Sequence, residues 1–119
     1  IYCSEDVEPV PAQMKKNYLL RSKNRSKKLV RIVPELRDRI RFGQLNFMSD
    51  TFGIRETMDM IFCRNVLIYF KRSDQERIVG KLCRHLRPGG YLFIGHSETL
   101  SGMNLPLRSE LATIYRKTP

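Results

Sequence analysis

The chain has 119 residues, with 22 Lys and Arg against 12 Asp and Glu, a net charge of +10. That length allows one small domain with a modest core, and the charge suits acidic partners: nucleic acid, anionic lipid or an acidic protein. No apolar run approaches the roughly 18–20 residues of a membrane span, no signal peptide is visible, and Cys3, Cys63 and Cys83 lack C-x-x-C spacing, which argues for free thiols in a reducing cytoplasm.

Residues 4–17 place Ser4, Glu5 and Asp6 ahead of Pro9 and Pro11, and Lys15 and Lys16 behind them. Acids early and bases late suit a helix dipole, so a helix is expected from about residue 11 to 16. Two short apolar runs follow, 17–21 and 29–33, separated by Ser22-Lys23-Asn24-Arg25-Ser26-Lys27-Lys28. Turn formers without an apolar residue predict a β hairpin over 17–33 with a strongly basic loop. Residues 34–39 begin with Pro and Glu, as a short helix does. Residues 40–45, I-R-F-G-Q-L, alternate apolar and polar and predict a strand. Asn46 and Phe47 close it and read, on the residues alone, as a turn Asn and a core Phe.

The stretch M-D-M-I-F-C-R-N-V-L-I-Y-F, residues 58–70, organises the rest. Residues 60–63 read as a strand buried on both faces of a parallel sheet. Arg64 and Asn65 fall where that strand ends, and ligands of open α/β sheets bind outside the carboxyl ends of strands. A buried strand with a polar cap and no ligand reads equally well from spacing alone. If Asn65 opens a helical turn, Tyr69 falls on its face at i+4. Ser73 and Glu76 have capping-box spacing. Ile78, Val79, Leu82, Cys83 and Leu86 then recur as one buried helical stripe, which Pro88-Gly89-Gly90 ends. Residues 91–95 predict a buried strand, 102–106 a loop and 111–117 a last strand. His96 and Glu98 form a poor metal site without a third ligand; hydrogen bonding of the loop beside a cleft is the better reading for His96, Ser97 and Glu98.

I-F-C-R-N-V-L-I-Y-F, then L-R-P-G-G-Y-L-F-I-G-H-S-E, then T-I-Y-R-K resembles the C-terminal part of the CheR-type chemotaxis receptor methyltransferases. The resemblance covers most of the chain in the family's order, whereas L-x-P-G-G alone would indicate only some class I methyltransferase. It implies an α/β fold: the C-terminal portion of a Rossmann-like sheet, mostly parallel with its last strand antiparallel at the sheet edge, and a small antiparallel hairpin subdomain. It also implies S-adenosylmethionine as methyl donor and glutamate side chains of bacterial chemoreceptors as acceptors. The first residue is not Met and no G-x-G loop follows a strand. The expectation is therefore a partial methyltransferase domain over 1–119, lacking the family's N-terminal helical domain and glycine-loop strands and binding S-adenosylmethionine weakly or not at all by itself.

Carried over residue by residue, the resemblance puts Asn46 and Phe47 beside the adenine and Arg64 and Asn65 on the cofactor side. Arg64 and Tyr69 are the catalytic candidates, with Tyr69 orienting the acceptor glutamate. The acceptor carboxylate is already ionised at neutral pH, its reference pKa being about 4.3, so no strong base is required. The hairpin subdomain docks a receptor peptide by strand addition in some family members. Those members carry glycines in the loop, and residues 22–28 have none. Other readings are a methyltransferase fragment acting on nucleic acid and a non-catalytic basic interaction module. The strand end Arg64-Asn65-Val66-Leu67 lacks the Pro-Pro-aromatic motif of base methylation, so stable nucleic-acid binding is not expected, nor is membrane insertion.

Overall fold

The computed structural model describes residues 1–119, which divide into two compact units, Ile1–Gln44 and Leu45–Pro119. In the first, β1 (Tyr2–Cys3), β3 (Leu29–Ile32) and β2 (Leu19–Arg21) form an antiparallel sheet in the order β1-β3-β2. Helix α1 (Ala12–Tyr18) precedes β2, with Pro11 at its N-cap and Lys15 and Lys16 in its last turn. The expected hairpin is present: Leu19 pairs with Ile32 and Arg21 with Val30. Its loop folds as a 3-10 turn, Arg25–Lys27, seeded by the Asn24 side chain, which accepts from the Ser26 N–H at 3.1 Å. The left-handed residue that a glycine would usually supply is Lys28, at φ 38°. Ser4 holds it there, donating to the Lys28 carbonyl through both N–H and hydroxyl at 2.8 Å. Strand β1, which pairs with β3, has too little apolar pattern to be read from sequence. Helix α2 is Pro34–Arg37.

Residues 40–45 do not form the expected strand. Alternation needs a neighbour to become a ladder, and here none takes these residues up; Phe42 is 92% exposed.

In Leu45–Pro119, strands β4 (Met58–Cys63), β5 (Leu86–Ile94), β6 (Leu107–Leu111) and β7 (Ile114–Lys117) make one sheet in the order β4-β5-β7-β6. β4 and β5 are parallel, and β7 runs antiparallel to both of its neighbours, β5 and β6. Three strands thus point one way and the last runs counter, the mixed α/β sheet expected. The expected edge strand over 111–117 is instead the end of a hairpin that turns at Ala112-Thr113, and β7 lies inside the sheet because β6 pairs on its outer side and takes the edge.

Helix α3 (Arg72–His85) connects β4 to β5 and buries Ile78, Val79, Leu82 and Cys83 against Cys63, Leu86, Leu92, Ile94 and Tyr115. The stripe is as expected for Ile78, Val79, Leu82 and Cys83, but Leu86 opens β5 rather than closing the helix, so the strand expected from 91 begins before Pro88-Gly89-Gly90 instead of after it. The expected capping box does not form: Lys71 is the N-cap, no side chain caps the helix, and the Glu76 carboxylate accepts from the Asn104 N–H at 3.1 Å instead. β4 is covered on one face only. Cys63 is buried, but Met60 and Phe62 are 56% and 66% exposed, Phe62 stacking on Phe93 at 4.5 Å between ring centroids. A continuous apolar run therefore marks two apolar faces here without α3 covering both. Gly90 of β5 lies close against β4; a Cβ there would meet the Asp59 carbonyl at 2.9 Å. No helix is long and apolar enough to cross a membrane.

Candidate active site at the carboxyl ends of two strands

β4 ends on buried Cys63, and the chain then leaves the sheet through exposed Arg64 and Asn65. Asn65 is left-handed, at φ 57°, so no helical turn begins there and the expected i+4 relation to Tyr69 does not exist. Asn tolerates this conformation better than most residues. The chain instead reverses and enters a 3-10 turn, Leu67–Tyr69. Leu67 anchors that turn at 1% exposure, while Tyr69 is held outward at 79%. The amide of Gln75 on α3 satisfies the turn's carbonyls, donating to Leu67 O at 2.8 Å and Phe70 O at 3.0 Å.

β5 delivers Gly95-His96-Ser97-Glu98 to the same end of the sheet. Glu98 closes the turn through its N–H to the Gly95 carbonyl at 3.0 Å. Its carboxylate, 8% exposed, accepts from the Gly95 N–H at 2.6 Å and from the Ile68 N–H at 3.1 Å. Gly95 is required by space: a Cβ would lie 2.6 Å from Asn65 Oδ1 and 2.7 Å from Glu98 Oε2. Asn65, Gly95, Glu98 and the turn bearing Tyr69 are therefore packed together. Of the three polar residues expected to bond this loop, Glu98 does so, whereas His96 and Ser97 are exposed.

Asn46 and Phe47 sit on a third segment. Asn46, exposed, accepts through Oδ1 from the Met48 N–H at 2.9 Å. Phe47 packs edge-on to Phe52 and Phe70, with centroids 6.0 and 6.3 Å away. Its ring is an interior contact, and through Phe70 it brings this segment beside the Tyr69 turn. Lys81 of α3, 5% exposed, clamps the segment: Nζ donates to Phe47 O at 2.6 Å and Ser49 O at 2.5 Å, and lies 4.9 Å from the Phe52 ring centroid. Read from sequence, Lys81 belongs with Arg84, His85 and Arg87 on a solvated basic face of the helix; the structure buries it instead. The signal was there: Lys81 lies three residues after Ile78 and beside Leu82, on the stripe that was assigned to the core.

Cys63 and Cys83 are buried free thiols, as expected. Burial pushes both up to about 11; the Glu98 charge adds to the rise at Cys63, and Lys117 opposes it at Cys83. Neither is a nucleophile at neutral pH.

The two strand ends thus carry Arg64, Asn65 and Tyr69, with Asn46 on a third segment, while both oxygens of Glu98 are engaged by backbone N–H groups. Such a donor-rich set suits carboxylates and the polar edges of a nucleoside. A mixed α/β sheet with this group at its carboxyl ends is consistent with the class I methyltransferase fold that the resemblance implies. Residues 1–115 match the family model described as CheR methyltransferase, SAM binding domain, and the chain belongs to that family. It is 37% identical over 115 residues to chemotaxis protein methyltransferase 2 of Pseudomonas aeruginosa, covering 97% of this chain and 41% of that protein. It is 40% identical over 119 residues to the chemotaxis protein methyltransferase of Klebsiella aerogenes, with 99% and 41% covered. The corresponding Escherichia coli protein is 33% identical over 115 residues, with 97% and 40% covered. The chain spans about two-fifths of the length of these curated relatives.

Proposed function

We propose that this chain supplies the acceptor-facing end of a cytoplasmic protein-glutamate O-methyltransferase, with S-adenosylmethionine as methyl donor and chemoreceptor glutamates as acceptors. The observation that carries this reading is the Glu98 carboxylate tying the Tyr69-bearing turn to Gly95, with Asn65 packed against the same glycine at the strand end that Arg64 opens, in a chain of this family. When bound, the donor supplies a methyl group activated on a sulfonium. The chain's residues position the reactants rather than move protons. Arg64 and the Asn65 amide hold the donor's polar groups, Asn46 offers its amide N–H groups to the adenine, and Phe47 supports that segment from within. The Tyr69 hydroxyl, exposed and carried on a fixed turn, donates to the acceptor carboxylate and orients it.

An acidic receptor surface is the partner suited to Ile1–Gln44. Lys15, Lys16, Arg21, Arg25 and Lys28 line a cavity of about 940 Å³ whose lining holds no acid. Such a cluster acts mainly on the rate of encounter and makes it sensitive to salt.

The test is transfer of a labelled methyl group to receptor-containing membranes by the gene product that contains this chain. Base-labile label on the receptor is expected, reduced roughly 100-fold in Arg64→Ala and about 10-fold in Tyr69→Phe. Donor binding without receptor labelling would overturn the reading and direct attention to nucleic acid as acceptor.

A further inference from the structure

The Glu98 carboxylate is held by backbone groups rather than by an ion pair. It is buried, and its two oxygens are taken by backbone N–H groups from two different strand ends: Gly95 after β5 and Ile68 in the turn after β4. Those partners lie 3 and 30 residues away in sequence, so one side chain bridges two segments that share no backbone ladder at this point. Ile68 directly precedes Tyr69, and Asn65 is wedged against Gly95, whose Cβ position is 2.6 Å from Asn65 Oδ1 and 2.7 Å from Glu98 Oε2. Cys63, the last residue of β4, feels the same charge.

We propose that Glu98 is a positioning residue for methyl transfer, fixing the Tyr69 turn relative to Asn65 through its two backbone hydrogen bonds without itself touching either reactant. This rests on the reading of Tyr69 and Asn65 given above. The chemistry of the carboxylate is specific. Gln can accept only one of the two N–H groups and turns its own N–H₂ toward the other, and Asp is one methylene too short to span both. Because Glu98 acts through the Tyr69 turn, its loss and the loss of the Tyr69 hydroxyl are one defect counted twice.

The test compares Glu98→Gln, Tyr69→Phe and the double variant in the gene product that contains this chain. Turnover and apparent donor affinity are measured beside amide hydrogen exchange. Glu98→Gln is expected to lower turnover about tenfold with donor affinity changed less than threefold, and to speed exchange at Ile68 and Tyr69 while α3 keeps its protection. The double variant is expected to be no slower than about twofold below Tyr69→Phe alone. Losses that multiply, or a donor affinity that falls in step with turnover, overturn the proposal. So does unchanged exchange at Ile68 and Tyr69. If Tyr69→Phe turns over at full rate, the reading of Tyr69 fails and the proposal falls with it; faster exchange in Glu98→Gln then shows that the tether was real and the site assignment was the error. Should Glu98→Gln lose protection in α3 as well, Gly95→Ala strains the same contact from the other side and is held to the same criteria.

Discussion

Ile1–Gln44 and Leu45–Pro119 each contain eleven Lys and Arg, but they use them differently. In the larger unit most of the cations that have partners serve the fold, Arg64 at the candidate site apart. Arg72 donates to the carbonyls of Thr99 and Ser101, Lys81 to those of Phe47 and Ser49, and Lys117 to those of Cys83 and Leu86 at the end of α3. Arg87 and Arg108 are ion-paired with Asp59 and Glu110 at 2.8 Å. In the smaller unit Lys15 donates to the Glu8 carbonyl, but Lys23, Arg25, Lys27 and Lys28 stand in an exposed loop. The cores differ in the same sense: Val30 is the one buried apolar residue of Ile1–Gln44, against a cluster of eleven in Leu45–Pro119. A net charge of +10 is thus a poor guide to partners until each cation has been located. Roughly half of the basic side chains lie in the unit whose loops they pin to a core, and the other half lie in a unit with little core to pin.

The sharpest way to break this contrast is to remove apolar volume from each unit. Leu92→Ala, at 1% exposure in the middle of β5, is expected to cost about 2–5 kcal/mol in denaturant unfolding. Val30→Ala removes less volume from a unit with no surrounding cluster and is expected to cost about 1 kcal/mol. Equal losses would mean that the two units draw on one core. Alkaline pH gives the next effect. Cys63 and Cys83 have folded-state values of about 11 against 9.0 when unexposed to these surroundings. Between those values the unfolded chain has lost protons that the folded chain retains. Stability is therefore fully present below about pH 9 and falls as pH rises toward 11, by roughly 2–3 kcal/mol per thiol. Cys63→Ala should flatten part of that slope.

How much of this was legible in the sequence depends on how local the cause is. The stripe Ile78, Val79, Leu82, Cys83 was readable because helical spacing and burial are the same fact. The basic hairpin was readable because residues 22–28 offer a turn and nothing to bury. The strand expected over 40–45 failed because alternation reports two faces but no partner. The turn between β6 and β7 was invisible because Ala112-Thr113 contains neither Gly, Pro nor Asn. At the site, the strand-end position of Arg64-Asn65 could be read, but the left-handed Asn65 and the 3-10 turn replaced the helical geometry expected for Tyr69. Glu98 and Lys81 act on backbone groups 30 and more residues away, which no local pattern announces.

The smaller effects set one lysine against another. Lys81→Met keeps the stem of the side chain and removes the ammonium that Phe47 O and Ser49 O share. Two carbonyls on a partly buried loop lose a charged donor, and the expected cost is about 1.5–3 kcal/mol, with faster amide exchange in residues 46–52. Lys27→Met, in the exposed loop of the smaller unit, is expected to stay within about 0.5 kcal/mol of the parent chain. Its consequence should appear elsewhere. If the loop charges act on encounter with an acidic partner, replacing Arg25 and Lys27 together lowers the association rate at low salt about two- to tenfold and leaves the dissociation rate nearly unchanged. The difference from the parent then shrinks as added salt shortens the screening length to below about 8 Å. A change carried mainly by dissociation would place these side chains inside a contact, as Lys81 is inside the fold. In that case the division between cations that hold the chain together and cations that face outward would no longer follow the boundary between the two units.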